Sequence, residues 1–324
     1  MDESVARDQT PLELKNRSLT GWSLLRTAIR CYLRRPFLFS GILAAYAGLG
    51  LLVVHTTSAL LFNMFLPPFG ASSKTSELHP PEFSSSFQIG IGVLWLVASL
   101  LVFVLYGVAQ GGIAAAEDDI SAARAPTVHG VLSMLRCKFW KTIGAMAFYL
   151  GILAMIPLGV SVLWLVFVTL LPSQAPALAF LTGVIGFLLA MIAGWGLLFY
   201  FRIRYLFTPI ATARENLRPF EALSRSSSLS QGKWWRTFGL YLTVSLSMEI
   251  AIIILNTLIG IGLEFLLSRS AAEAVIAALL YTVVNLTLGP IVLIGVSLIY
   301  SDLLGQRADP CAEQSIGDAR PSPA

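Results

Sequence analysis

Apolar residues fall in six long, nearly uninterrupted stretches, at about 37–61, 88–114, 142–171, 177–201, 237–265 and 274–300. Each exceeds the roughly 20 residues a helix needs to cross about 30 Å of hydrocarbon. A helix on a soluble protein keeps its apolar residues to one stripe, whereas these stretches are apolar all round. The pattern predicts an all-α polytopic membrane protein with six transmembrane helices in one membrane domain, 20–300. Residues 1–19 and 301–324 are polar and are expected to be disordered cytoplasmic ends.

Between the spans the pattern changes to a helical period. Trp22, Leu25, Ile29, Tyr32 and Leu33 recur on one face, with Arg26, Arg30 and Arg34 in an i, i+4, i+8 row on another. After Pro126, Val128, Leu132, Leu135 and Phe139 recur with Arg136, Lys138 and Lys141 around them. From Pro219, Phe220, Leu223, Leu229 and Trp234 alternate with Arg225, Lys233 and Arg236, and Trp235 follows. Basic amphipathic helices of this kind lie in the headgroup region, with Trp marking the interface level. Each precedes a pair of spans, which suggests a threefold repeat of amphipathic helix plus two spans. Trp140-Lys-Thr-Ile-Gly echoes Trp235-Arg-Thr-Phe-Gly, and Val131-Leu-Ser echoes Ala222-Leu-Ser. The alternative is that any interfacial helix leading into a span looks this way.

Composition agrees with the membrane reading and adds an orientation. The 324 residues are 56% hydrophobic and 12% charged, against about 25% charged in soluble domains. All of the 22 Lys and Arg except Lys74 and Arg269 fall on one side of the six spans. The positive-inside rule makes that side cytoplasmic, with both termini there. The formal charge is only +4, and its basic residues flank apolar spans, so anionic lipid is the expected partner rather than nucleic acid. The polar N-terminus does not read as a signal peptide, so the first span is expected to be retained. Cys31, Cys137 and Cys311 show no metal-ligand spacing, and a reducing compartment disfavours disulfides.

Few residues suggest chemistry. Glu249 falls near the middle of the fifth span, where a carboxylate is costly. Ser245 and Asn256 share its helix face, and the sixth span offers Tyr281, Thr282 and Asn285. These predict a polar seam between spans five and six. It is either a relay or headgroup site, or a protonated Glu249 bonded to Asn256 or Asn285 that cements packing. His55 reads as interfacial or helix-packed, and Gln110 as bonded to a neighbouring helix or to water. Glu117, Asp118 and Asp119 read as a solvated helix end. Glu215 is expected to pair with Arg204, Arg214 or Arg218. There is no phosphate-binding loop, no metal-spaced His pair and no nucleophile elbow, so no catalytic residue, metal or cofactor is expected.

The stretch from Glu215 to Ser226, ENLRPFEALSRS, followed by Leu229-Ser-Gln-Gly-Lys-Trp-Trp-Arg, resembles a bacterial multi-span family. That family is named after the membrane domain of glycerophosphoryl diester phosphodiesterases. Glu215, Pro219, Ala222, Leu223, Arg225, Ser226, Leu229, Gly232 and Trp235 occupy its motif positions, and Arg218 stands where the family usually has Gly. The resemblance implies six spans with interfacial helices, in the bacterial inner membrane. It does not imply catalysis, since the named enzymes carry their activity on a separate soluble barrel. The expectation is a non-catalytic protein engaging anionic lipids, with a protein partner or a second copy as further candidates. The alternative is a small transporter or lipid-translocating protein that uses the polar seam around Glu249.

Overall fold

The computed structural model describes residues 20–65, 85–122, 124–170, 176–267 and 271–308, and among these all regular structure is helical. The order is α1 (Gly21–Arg34), α2 (Pro36–Leu43), a π-helical turn (Ala44–Gly48), α3 (Leu49–Phe65), α4 (Ser85–Ser121), α5 (Val128–Leu170), α6 (Pro176–Arg204), α7 (Thr208–Glu215), α8 (Pro219–Ser230), α9 (Trp234–Leu267) and α10 (Ala271–Ala308). Six helical stretches are long and apolar enough to cross a membrane, so the chain is an all-α polytopic membrane protein. The expected disordered ends lie mostly outside the described residues. Where the C-terminal end is described, it differs: α10 continues to Ala308, with Leu303 buried and Asp302 paired to Arg236 at 2.9 Å.

The helix ends follow local chemistry. The Thr20 hydroxyl accepts from the Ser23 amide at 3.4 Å, and the Thr20 amide donates to the Ser23 hydroxyl at 3.0 Å, closing the first turn of α1. Pro36 then starts α2, where its missing N–H costs nothing. Asn216 adopts the left-handed conformation (φ 54°) and ends α7. Gly232, at φ 77°, turns the chain from α8 into α9, a conformation that glycine adopts without strain. The residue before α8, Arg218, has φ −71° and ψ 158°, extended backbone that needs no glycine. The second amphipathic segment is not separate, since it runs into the third span as one helix, α5. In the first and third units a break intervenes, at Arg35 and at 231–233.

The spans pack around α10. Its apolar window is 56% buried inside the protein, against at most 28% for the other five. It contacts α9, α3, α4, α1 and α2. One end of the bundle carries α1, α7, α8 and most of the described basic residues, and is called the basic end below. Here α7 is inserted among α4, α5 and α8, and residues Thr208 to Ala213 are all buried. Gly111 of α4 allows that insertion. A Cβ there would come 2.9 Å from the Ala213 Cβ and 3.2 Å from the Pro209 carbonyl oxygen, neither of which is a mobile side-chain end. Gly111→Val is therefore expected to destabilise the protein by about 1–3 kcal/mol through overpacking. Thermal unfolding in detergent checks this, with Gly151→Ala as the neutral control, since a Cβ at Gly151 meets nothing within 4 Å.

Candidate functional site

The motif stretch is a joint between α6, α7 and α8. The Ser226 hydroxyl donates to the Arg204 carbonyl at 3.0 Å and accepts the Phe207 amide at 3.1 Å, so one buried serine ties α8 to the α6–α7 turn. Ser230 adds a bond to the same Arg204 carbonyl at 3.3 Å. Ala222, Leu223 and Leu229 are buried beside it, and Pro219 is the first residue of α8. Gln110 Nε2 also donates into this turn, to the Leu206 carbonyl at 3.4 Å. Glu215 pairs with Arg225 at 3.1 Å and accepts the Tyr300 hydroxyl, rather than pairing with Arg204, Arg214 or Arg218. Arg204 instead donates to Ser227 at 2.7 Å and to the Tyr200 hydroxyl at 3.0 Å. An open pocket of about 560 Å³ lies over Glu215, Phe220 and Arg225, and its two opposite charges already face each other.

Next to Glu215, Arg214 turns into the bundle. Its side chain is 11% exposed. Nη1 donates to Ser301 at 2.9 Å, and Nη2 donates to Ser297 at 3.1 Å and to the Ala114 carbonyl at 3.2 Å. Asp118 lies 2.8 Å from Nε and Glu117 3.7 Å from Nη2, with the guanidinium over the Tyr300 ring at 5.5 Å. Glu117, with a 15% exposed side chain, is thus not the solvated helix end expected from sequence. Asp118, half-exposed although paired to Arg214, and Asp119, 3.5 Å from the exposed Arg124, lie nearer solvent. Burial, with a smaller contribution from Glu117, raises the nearby Cys31 thiol above its ordinary range, and Arg34 opposes the shift. No group of three or more His, Cys, Asp or Glu suited to a metal occurs among the described residues.

A second polar cluster lies deeper, between spans. Arg202 Nη2 donates to the Tyr241 hydroxyl at 2.8 Å, and the guanidinium lies 5.7 Å from that ring's centroid. The Tyr149 hydroxyl donates to the Arg202 carbonyl at 3.4 Å, and the Tyr106 hydroxyl to the Gly289 carbonyl at 3.3 Å. Glu249 lies within electrostatic reach of Arg202 and Tyr106. Ser245 stays on the Glu249 face, but the expected seam does not gather as a unit. Asn285 Nδ2 bonds the Tyr281 carbonyl of its own helix at 2.9 Å. Thr282 bonds His55 at 2.9 Å, and Tyr281 meets the His55 ring edge-on and reaches toward Gly260. The Asn256 Oδ1 is buried without a hydrogen-bond partner among the described residues. Glu249 is exposed, because its position on α9 is set by the helix period and not by the nearest polar partner. Arg202, Tyr106, Tyr149 and Tyr241 were missed as site residues. A charged residue two positions before a helix end looks like an ordinary span terminus in sequence.

The cations expected at headgroups divide. Arg26, Arg30, Arg34 and Arg136 are exposed, as is Trp235. Lys138 is instead committed to the Ala213 carbonyl, Arg225 to Glu215 and Arg236 to Asp302. Lys233 is half-buried, and Trp234 stacks on Phe238 at 5.1 Å while donating to the Tyr200 carbonyl at 3.3 Å. These groups hold the basic end together.

Two outcomes follow from this geometry. Arg214→Lys is expected to lower the unfolding temperature nearly as much as Arg214→Ala, because one ammonium cannot satisfy groups spread over a planar fork. Removing the buried cation costs about 3–5 kcal/mol, read as the loss of thermal stability in detergent. In a Cys311→Ser background, maleimide at neutral pH is expected to label the exposed Cys137 well before Cys31. Labelling of Cys31 should rise with pH, because its raised thiol range leaves little thiolate at neutrality. Comparison with protein-family models, curated proteins and solved structures finds no match to this chain.

Proposed function

We propose that this is a non-catalytic integral membrane protein that gathers anionic lipid at its basic end, which faces the cytoplasm. The supporting observation is the outer face of α1. Leu24, Leu25, Ala28 and Tyr32 turn inward, and α1 packs on α9 and α10. Leu25 and Tyr32 therefore do not belong to a lipid-facing stripe with Trp22 and Leu33, as the sequence pattern suggested. Trp22 and Leu33, each 66% exposed, instead share the outer face with exposed Arg26 and Arg30. A bare Trp and Leu are unfavourable in water, and bare arginines are unfavourable in hydrocarbon. The headgroup layer suits both, and anionic phosphates suit the guanidinia. Exposed Phe37, Trp140 and Trp235 fit the same layer. The motif resemblance to the phosphodiesterase-associated membrane family supports a membrane module without a catalytic barrel.

The test uses full-length protein in detergent, titrated with anionic phosphatidylglycerol or neutral phosphatidylcholine. Phosphatidylglycerol should raise the unfolding temperature more, with the difference shrinking at high salt. The Arg26→Gln/Arg30→Gln variant should lose that preference, by about fivefold in apparent affinity per arginine. An unchanged anionic preference in the variant would sink the reading.

A further inference from the structure

At the closed basic end, one guanidinium serves two carboxylates. Arg214 of α7 meets two consecutive acids of α4, Asp118 at 2.8 Å from Nε and Glu117 at 3.7 Å from Nη2. The acid next to it on α7, Glu215, is already offset, since it pairs with Arg225 of α8 at 3.1 Å and accepts the Tyr300 hydroxyl of α10. Lys138 of α5 gives its ammonium to the Ala213 carbonyl, and Asp302 of α10 pairs with Arg236 of α9 at 2.9 Å. On α1, the Cys31 thiol senses Glu117 and Arg34. The charges that act most on Glu117 itself are Arg214 and then Asp118, with Ser297 of α10 beside it.

The two acids that share Arg214 are not equivalent. The Asp118 side chain is 53% exposed, so water can carry its charge, whereas that of Glu117 is 15% exposed. Glu117 Oε2 is buried and has no hydrogen-bond partner among the described residues. Both acids stand near the end of α4 at Ser121, where the helix dipole disfavours negative charge. An ionised carboxylate is costly under these conditions, and a proton relieves the cost, because a carboxylic acid is neutral and can donate. Glu117 follows the apolar stretch 88–114 of its helix and so stands outside the span. Burial pushes its carboxyl up to about 7, with Ser297 and Arg214 opposing the rise and Asp118 adding to it.

We propose that Glu117 is a proton-binding site that sets how firmly α7 is held in the bundle. The proton comes from water at the basic end. With Glu117 protonated, Arg214 pairs with Asp118 alone, and the joint of α4, α7 and α10 closes without surplus charge. With Glu117 ionised, the joint holds a carboxylate that no cation matches, and it loosens. This switch is independent of the lipid contacts of α1. The carboxyl ionises at about 4.5 in the unfolded chain and at about 7 in the folded one, so its stabilisation is full at acid pH and is lost as pH rises through about 7.

The test is thermal unfolding of the full-length protein in detergent. Between about pH 5.5 and 8.5, the unfolding temperature of Glu117→Gln should rise by about 4 °C relative to wild type, because the neutral amide needs no proton. Asp118→Asn should also flatten the pH dependence, since Arg214 then serves Glu117 alone. Glu117→Gln/Asp118→Asn should be far less stable than the two single variants together imply, because Arg214 is left buried without a carboxylate. Infrared difference spectra in a Glu249→Gln background should show a protonated-carboxyl band that is lost as pH rises through about 7 and is missing once Glu117→Gln is added. A difference between wild type and Glu117→Gln that does not change with pH would overturn the proposal. So would a Glu117→Gln variant less stable than wild type at both pH values, the result of an ordinary ion pair with Arg214. The infrared band is read on folded Glu249→Gln protein, so it decides the matter even where Glu117→Gln does not fold, and its absence overturns the proposal.

Discussion

The basic end depends on one buried guanidinium. Arg214 reaches from α7 to a backbone carbonyl and two carboxylates on α4, and to two serines on α10. Placing a short helix among spans buries polar groups that hydrocarbon neighbours cannot satisfy. The planar fork of an arginine satisfies several at once and fixes their relative positions. Around it, Lys138 bonds the Ala213 carbonyl at the end of α7, and Lys141 donates to Asn216 at 3.1 Å. Glu215 joins Arg225 of α8 to Tyr300 of α10. The charges of this end are thus largely internal, and they close the bundle there.

That closure explains why the motif stretch is both polar and buried. Ser226 bonds to two positions of the α6–α7 turn, and Gly232 turns the chain back into the membrane. The residues from Glu215 to Gly232 mostly shape this joint. Trp22, Arg26, Arg30 and Leu33 of α1 are exposed outside this joint.

Inside the membrane, the helix period distributes polar groups more strictly than pairing does. Thr282 bonds back to the Ala278 carbonyl at 2.7 Å and across to His55, so its polarity is consumed within α10 and α3. Asn285 likewise bonds its own backbone. Glu249 lies elsewhere on α9 and stays exposed.

The sequence alone determined the six spans and the helix starts at Pro36 and Pro219. Length, hydropathy and backbone chemistry are local properties, and a bilayer leaves a long apolar stretch few alternatives. It also placed Ser245 and Glu249 on one helix face, because that follows from spacing alone. It did not show that the 202–240 stretch folds inward. A basic, serine-rich segment has the same composition whether it lies on a surface or fills a mouth between helices, and only the packing of α7 against Gly111 distinguishes the two. The partners of Glu117, Arg202, Glu215 and Arg225 were likewise decided by tertiary structure. Each reaches a residue brought close by the packing of α4, α7, α8, α9 and α10, and the choice among many possible cations and anions is a matter of distance, which composition and periodicity do not contain.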